Sequence, residues 1–178
     1  LSDGLLKALD TKSKKEHKLE TTNAAAYEYY LKAKYKYKKR ENIEDTEIVR
    51  GLIEKALQLD NQLLSAKTLL GWTYFDIGEY DNAMKIYNQN LKKAETIEDE
   101  GCIAELFHNI GLVHLKKGDS KQSLSYFDRA LELRQNLEDQ SGIANSYNNF
   151  GAVYWNTGDY KKALEVKPKL IILFNFFT

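Results

Sequence analysis

Between Leu63 and Val166, apolar positions recur at the three- and four-residue spacing of amphipathic helices. Leu70, Tyr74 and Ile77 fall on one helical face, as do Ile110, Val113 and His114, and then Phe150 and Tyr154. Gly78, Gly118 and Gly158 follow where such a helix should end, and glycine there suits a left-handed cap. Asp119 and Asp159 come next and are placed to cap the following helix. Ala83, Tyr87 and Leu91 then outline a second amphipathic helix, with Ser123, Phe127, Ala130 and Leu131 as its counterpart. The pattern predicts helical hairpins.

The hairpins repeat. LLGWTYFDIGEYDNA from Leu69, NIGLVHLKKGDSKQS from Asn109 and NFGAVYWNTGDYKKA from Asn149 stand in phase. The connecting stretches ETIEDEGCIAE and QNLEDQSGIAN are in phase as well. Their common period of about 40 residues predicts a solenoid. Gly71, Gly111 and Gly151 lie inside the first helix of each copy, where glycine costs about 1 kcal/mol relative to alanine. Close approach of the paired helix is the expected compensation. An earlier, degenerate copy has NAAAYEYYLKAKYKYKKR from Asn23 as first helix and EIVRGLIEKALQLDNQ from Glu47 as second, with Ile53, Ala56 and Leu57 in its core. The stretch KAKYKYKKR alternates like a strand, but its place in the repeat predicts helix.

The pattern W-x2-L-G-x2-Y followed by A-x3-F is the tetratricopeptide (TPR) signature. Lys67, Leu70, Gly71, Tyr74, Ala83 and Tyr87 stand at those places in one copy. Phe107, Ile110, Gly111, His114, Ser123 and Phe127 follow in the next, then Tyr147, Phe150, Gly151, Tyr154 and Ala163. The chain resembles the 40-residue variant of the TPR family, which is longer than the usual repeat and here lacks its terminal proline. The resemblance implies an all-α fold, a right-handed α-solenoid of about three and a half hairpins. The expected boundaries are a helical connector at 1–22, a degenerate repeat at 23–62, repeats at 63–102 and 103–142, a partial repeat at 143–166 and an atypical apolar tail at 167–178. The stretch from Leu1 to Gln62 also resembles the TPR region downstream of bacterial class III adenylate and guanylate cyclase domains. In the last copy Lys167 stands where an aromatic belongs, and Pro168 predicts that the helix stops near Val166.

Composition narrows the reading. The chain has 178 residues, with 26 Lys and Arg against 26 Asp and Glu, and a balanced charge argues against a dedicated nucleic-acid binder. The single cysteine, Cys102, excludes a disulfide framework and a multi-thiolate zinc site. The chain does not begin with methionine, and its N-terminus has no signal-peptide pattern. The longest apolar run, Leu170 to Phe174, is far short of the roughly 20 residues of a membrane span. A soluble, cytoplasmic protein with no membrane partner is expected. The apolar tail is expected to fold back on the last hairpin or to mediate self-association.

Enzyme motifs, cofactor loops and metal knuckles are absent from the sequence, so no catalytic residue, cofactor or metal is assigned. Cys102, His108 and His114 are spaced six and six, which turns successive members about 240° apart on a helix. His114 occupies a place normally held by a core tyrosine and reads as a partly buried, satisfied histidine. The basic run from Lys32 to Arg40 reads first as a solvated helix face, then as a patch for an acidic protein segment. Nucleic acid is the least favoured of its readings.

TPR folds usually hold partners as extended peptides or helices on the concave face lined by first helices. The resemblance therefore implies a protein or peptide partner in such a groove. The positions that repeat packing leaves free are Tyr30, Lys34 and Tyr37 in the degenerate copy, then Thr68, Trp72, Phe75 and Asp76. Glu105, His108 and Leu112 follow, then Asn145, Asn148, Trp155 and Asn156. Tryptophan and tyrosine are enriched at binding hot spots, and asparagine pairs with peptide backbone. The alternative for Trp72, Phe75 and Trp155 is packing between neighbouring repeats. The lysine and asparagine pairs by which some TPR domains grip chaperone C-termini are missing. Thr68 with Trp72, His108 with Leu112 and Asn148 with Ala152 stand there instead. The sequence thus points to a regulatory or scaffolding binding module of a bacterial signalling protein, cyclase-associated or otherwise, with a free-standing adaptor or peptide receptor as the alternative.

Overall fold

The computed structural model of the protein describes residues 23–166, so the expected connector at 1–22 and the tail at 167–178 lie outside the described residues. The described residues form helices and connecting turns, with no strand among them. The chain divides into two compact units after Ala66.

In the first unit, α1 (Ala24–Lys39) packs against α2 (Ile43–Leu59). Asn23 starts α1: its side-chain oxygen accepts from the Ala26 N–H at 3.1 Å, and its amide donates to the Leu59 carbonyl at 3.0 Å. That second bond ties the beginning of the hairpin to its end. The second helix begins at Ile43, one turn before the expected Glu47. Asn42 caps it by accepting from the Asp45 N–H, and Glu44 and Asp45 place negative charge in the first turn. Ala26 and Ala33 on α1 and Val49, Ile53 and Ala56 on α2 are fully buried. The alternating stretch Lys32–Arg40 is helical up to Lys39, because Ala33 belongs to this core.

The second unit takes its helices from α3 (Leu64–Asp76), whose first residues precede the division, and from α4 (Tyr80–Thr96). It continues with α5 (Glu100–Lys116), α6 (Ser120–Asn136) and α7 (Gln140–Asn156), and a further helical segment covers 160–166. Neighbours in this series pack in order, α4 on α5, α5 on α6 and α6 on α7. The glycine caps are as expected: Gly78, Gly118 and Gly158 have φ of 81°, 82° and 78°. Asp119 and Asp159 cap the helices that follow them. Glu98 and Glu138, one repeat apart, hold the same left-handed conformation at φ of 55° and 56° with no glycine to ease it. The next residues, Asp99 and Asp139, cap α5 and α7.

The packing role of the first-helix glycines is explicit. The Tyr87 ring lies directly over Gly71 and the Phe127 ring over Gly111, and both aromatics are fully buried. Around Phe127, the side chains of Phe150 and Val153 complete a buried cluster that Leu112, Leu115, Leu124 and Leu131 pack against. Ile77 departs from its expected place on the packed face and is 40% exposed. It stands in the turn just past the end of α3 at Asp76.

Candidate binding surface

In the first unit, α1 carries a basic and aromatic surface. Tyr30 and Tyr37 are half-buried and Lys34 is exposed. Lys34 Nζ stands 5.6 Å from the centre of the Tyr30 ring, and the Arg40 guanidinium lies 3.7 Å from that of Tyr37. Cations set over aromatic faces hold both groups in place, and Arg40 Nη1 also donates to the Tyr37 carbonyl. Two lysines of the run are paired with acids, Lys32 with Glu28 and Lys36 with Asp45.

In the second unit, the expected positions separate into three kinds. Thr68 is not at the surface at all. It is 4% exposed and its hydroxyl accepts from the Asn90 amide of α4 at 3.2 Å. The paired helix supplies a buried polar partner that register on α3 alone does not reveal. Trp72 and Phe75 are half-buried and meet edge to face at 5.3 Å, with Phe75 also against Tyr80 at 5.6 Å. Leu112 is half-buried against the Phe127, Phe150 and Val153 cluster, so it serves repeat packing. Asp76, Glu105, Asn145, Asn148, Trp155 and Asn156 are exposed.

His108 belongs to a polar junction that sequence reading did not assemble. Asn149 Nδ2 donates to its Nδ1 at 3.1 Å, and Arg134 Nη1 lies 3.4 Å from the same nitrogen. Two donors on Nδ1 leave that nitrogen bare and put the ring proton on Nε2. Burial, and secondarily the positive charge of Arg134, depress the imidazole pKa to about 4. Arg134 is itself 8% exposed and donates to Ser146 Oγ at 2.9 Å and to the Gly142 carbonyl at 3.2 Å. It thus joins α6 to α7 and, through His108, to α5. A sequence signal existed in register: Arg134 stands one repeat after the buried Ala94, an exchange of methyl for guanidinium within an otherwise matching frame.

His114 is the partly buried histidine expected, stacked on Tyr126 with ring centres 5.4 Å apart. Among the described residues no group of three or more His, Cys, Asp or Glu is placed to hold a metal. None of the described helices is long and apolar enough to cross a membrane.

Residues 102–166 match a tetratricopeptide-repeat family model, and residues 64–92 match a second. These stretches are tetratricopeptide repeats, and the chain, all-helical over its described residues, matches solved solenoids built from them. One similar structure is aspartyl phosphate phosphatase F from Bacillus subtilis, at 18% identity and a TM-score of 0.72 over 83% of this chain and 39% of that one. Another is BtubC from P. vanneervenii, at 19% identity and 0.71 over 99% of this chain and 71% of that one. A third is a Rap protein complexed with Competence and Sporulation Factor, at 17% identity and 0.68 over 86% of this chain and 55% of that one. This chain therefore spans well under two thirds of the phosphatase and of that Rap protein, and likeness at such identities concerns the fold. No curated protein sequence matches it as a relative.

Proposed function

We propose that this chain is a protein- or peptide-binding repeat module rather than a catalytic domain, serving as a regulatory or scaffolding part of a bacterial signalling protein. The resemblance of the stretch from Leu1 to Gln62 to cyclase-associated repeats puts a nucleotide cyclase among the candidate contexts, with a free-standing adaptor or peptide receptor as the alternative. One observation carries the binding role. Asn145, Asn148 and Asn156 on α7 are exposed, and their side chains make no hydrogen bond to any described residue. An asparagine amide offers both a donor and an acceptor, which is what an extended peptide backbone needs. Glu105, one repeat before Asn145, and Asp76, two repeats before Asn156, hold the matching register positions on α5 and α3. A segment along this face meets amides on α7 and carboxylates on the earlier helices, with Trp72 and Phe75 as its apolar contact. On α1, the Tyr30, Lys34 and Tyr37 surface is suited to an acidic protein segment. The complex of the similar Rap protein supports a fold that holds another molecule.

The test begins with peptides selected from a random library on the intact chain. A photo-crosslinking side chain is then placed at 148 on the first-helix face, and in a second variant at Lys92, an exposed position of α4. The reading expects crosslinks to the selected peptides at 148 and none at 92. Crosslinks at 92 alone would place binding on the second helices and contradict it.

A further inference from the structure

Arg134 reaches α7 because three side chains change together in one copy of the repeat. One repeat earlier the same register holds Ala94, Cys102 and Leu106, and here it holds Arg134, Gly142 and Ser146. Ala94 and Leu106 are fully buried, so apolar groups suffice to pack this place. A guanidinium taken out of water costs free energy that those side chains do not incur. The exchange nevertheless comes with everything the arginine needs. A Cβ built on Gly142 would stand 2.7 Å from Cδ and 2.8 Å from Nε of Arg134, so glycine is what lets the side chain pass. Beyond it, Ser146 Oγ and the Gly142 carbonyl accept from Nη1, and Ser146 Oγ donates in turn to that carbonyl at 3.1 Å. Packing does not call for this set, and its bonds all end on α7 or on His108.

A second anchor holds the same helix from α5, where His108 Nδ1 accepts from Asn149 Nδ2. Gly142, Ser146 and Asn149 keep the i, i+4, i+7 spacing of one helical stripe, and Asn145 and Asn148 stand on the stripe beside it. We propose that Arg134 and His108 are positioning residues for the partner face, fixing the roll and axial position of α7 so that the Asn145 and Asn148 amides meet a peptide backbone. This inference rests on the reading of those amides as the partner site. The tolerance is narrow. A roll of about 20° carries an atom roughly 5–6 Å from the helix axis through about 2 Å, whereas hydrogen-bond distances vary by only about 0.5 Å. Anchors drawn from two different helices resist both the roll and a slide along the axis.

A double-mutant cycle tests it, read by titrating a peptide selected on the parent chain. Arg134→Met keeps a stem over Gly142 and removes the guanidinium. It is measured in the parent and in the Asn145→Ala, Asn148→Ala background, each at a temperature where circular dichroism shows the protein folded. The inference expects several-fold weaker binding in the parent and no further loss in the background, because Arg134 acts through those amides. His108→Leu removes the other anchor, keeps the test open should Arg134→Met not fold, and is expected to behave alike. His108→Asn, which restores an acceptor, is expected to bind as the parent does. Equal losses in both backgrounds overturn the inference, since a residue that only stabilises the fold, or touches the peptide itself, acts whether or not the amides are present. Parent-like affinity in Arg134→Met and His108→Leu, beside weak binding by the asparagine variant, overturns the positioning role alone. Parent-like affinity in the asparagine variant itself overturns the partner reading and this inference with it.

Discussion

A Cβ built on Gly111 would stand 2.6 Å from Cε1 of the Phe127 ring. Real Cβ atoms do not approach that closely, and the ring is fully buried and has no room to retreat. Gly111→Ala is therefore expected to destabilise by about 1–3 kcal/mol through overpacking, despite alanine's better helix propensity. Gly51 is a control inside α2, where nothing lies within 4 Å of the added Cβ. Gly51→Ala should stabilise by about 0.5–1 kcal/mol. Urea unfolding of both variants checks the contrast in sign.

The Thr68 hydroxyl accepts from the buried Asn90 amide at 3.2 Å. Thr68→Val preserves shape and removes that acceptor, so the buried hydrogen bond between α3 and α4 is lost. Thermal unfolding should show a loss of about 1–3 kcal/mol, whereas a surface position in a groove would show almost none.

The polar junction makes stability pH-dependent. His108 has a pKa of about 4 when folded, depressed from the ordinary 6.5, so between these values the unfolded chain binds more protons. Stability from this group is fully present above pH 6.5 and is lost as pH falls through 4. The loss across the window is on the order of 3 kcal/mol. His108→Asn keeps an acceptor near the position of Nδ1 and cannot titrate. Its stability curve, followed by urea denaturation at several pH values, should be flatter than that of the parent between pH 4 and 6.5. Parallel curves would show that His108 protonates freely in the folded protein.

Glu98 and Glu138 hold left-handed backbone without a glycine, at a cost of roughly 1–2 kcal/mol each. Glu98→Gly should recover part of that and raise the melting temperature, as read by calorimetry. The same exchange at Glu95, within α4, should lower it.

These residues also mark where sequence reading succeeds and stops. The hairpins, the glycine turns and the aspartate caps are legible because each rests on local backbone chemistry. The glycine beneath an aromatic is legible because the repeat states it twice, at Gly71 with Tyr87 and at Gly111 with Phe127. Thr68 and His108 are misplaced by register because exposure on a first helix is decided by the neighbouring helices. Asn90 reaches Thr68 from α4, and Arg134 and Asn149 reach His108 from α6 and α7. Such long side chains vary between copies, so the repeat pattern does not predict them. The strained Glu98 and Glu138 are hidden for the opposite reason, since no residue type there signals a left-handed turn.

The central claim is that the exposed amides of α7 receive a partner segment. It is tested most directly by titrating a library-selected peptide into the double variant Asn145→Ala and Asn148→Ala, alongside the parent. Both side chains are exposed and bond to no described residue, so folding should be untouched. Loss of hot-spot contacts worth about 2 kcal/mol or more weakens binding at least about tenfold. The account predicts that loss of affinity at an unchanged melting temperature. Equal affinity for parent and variant, with both fully folded, would contradict it.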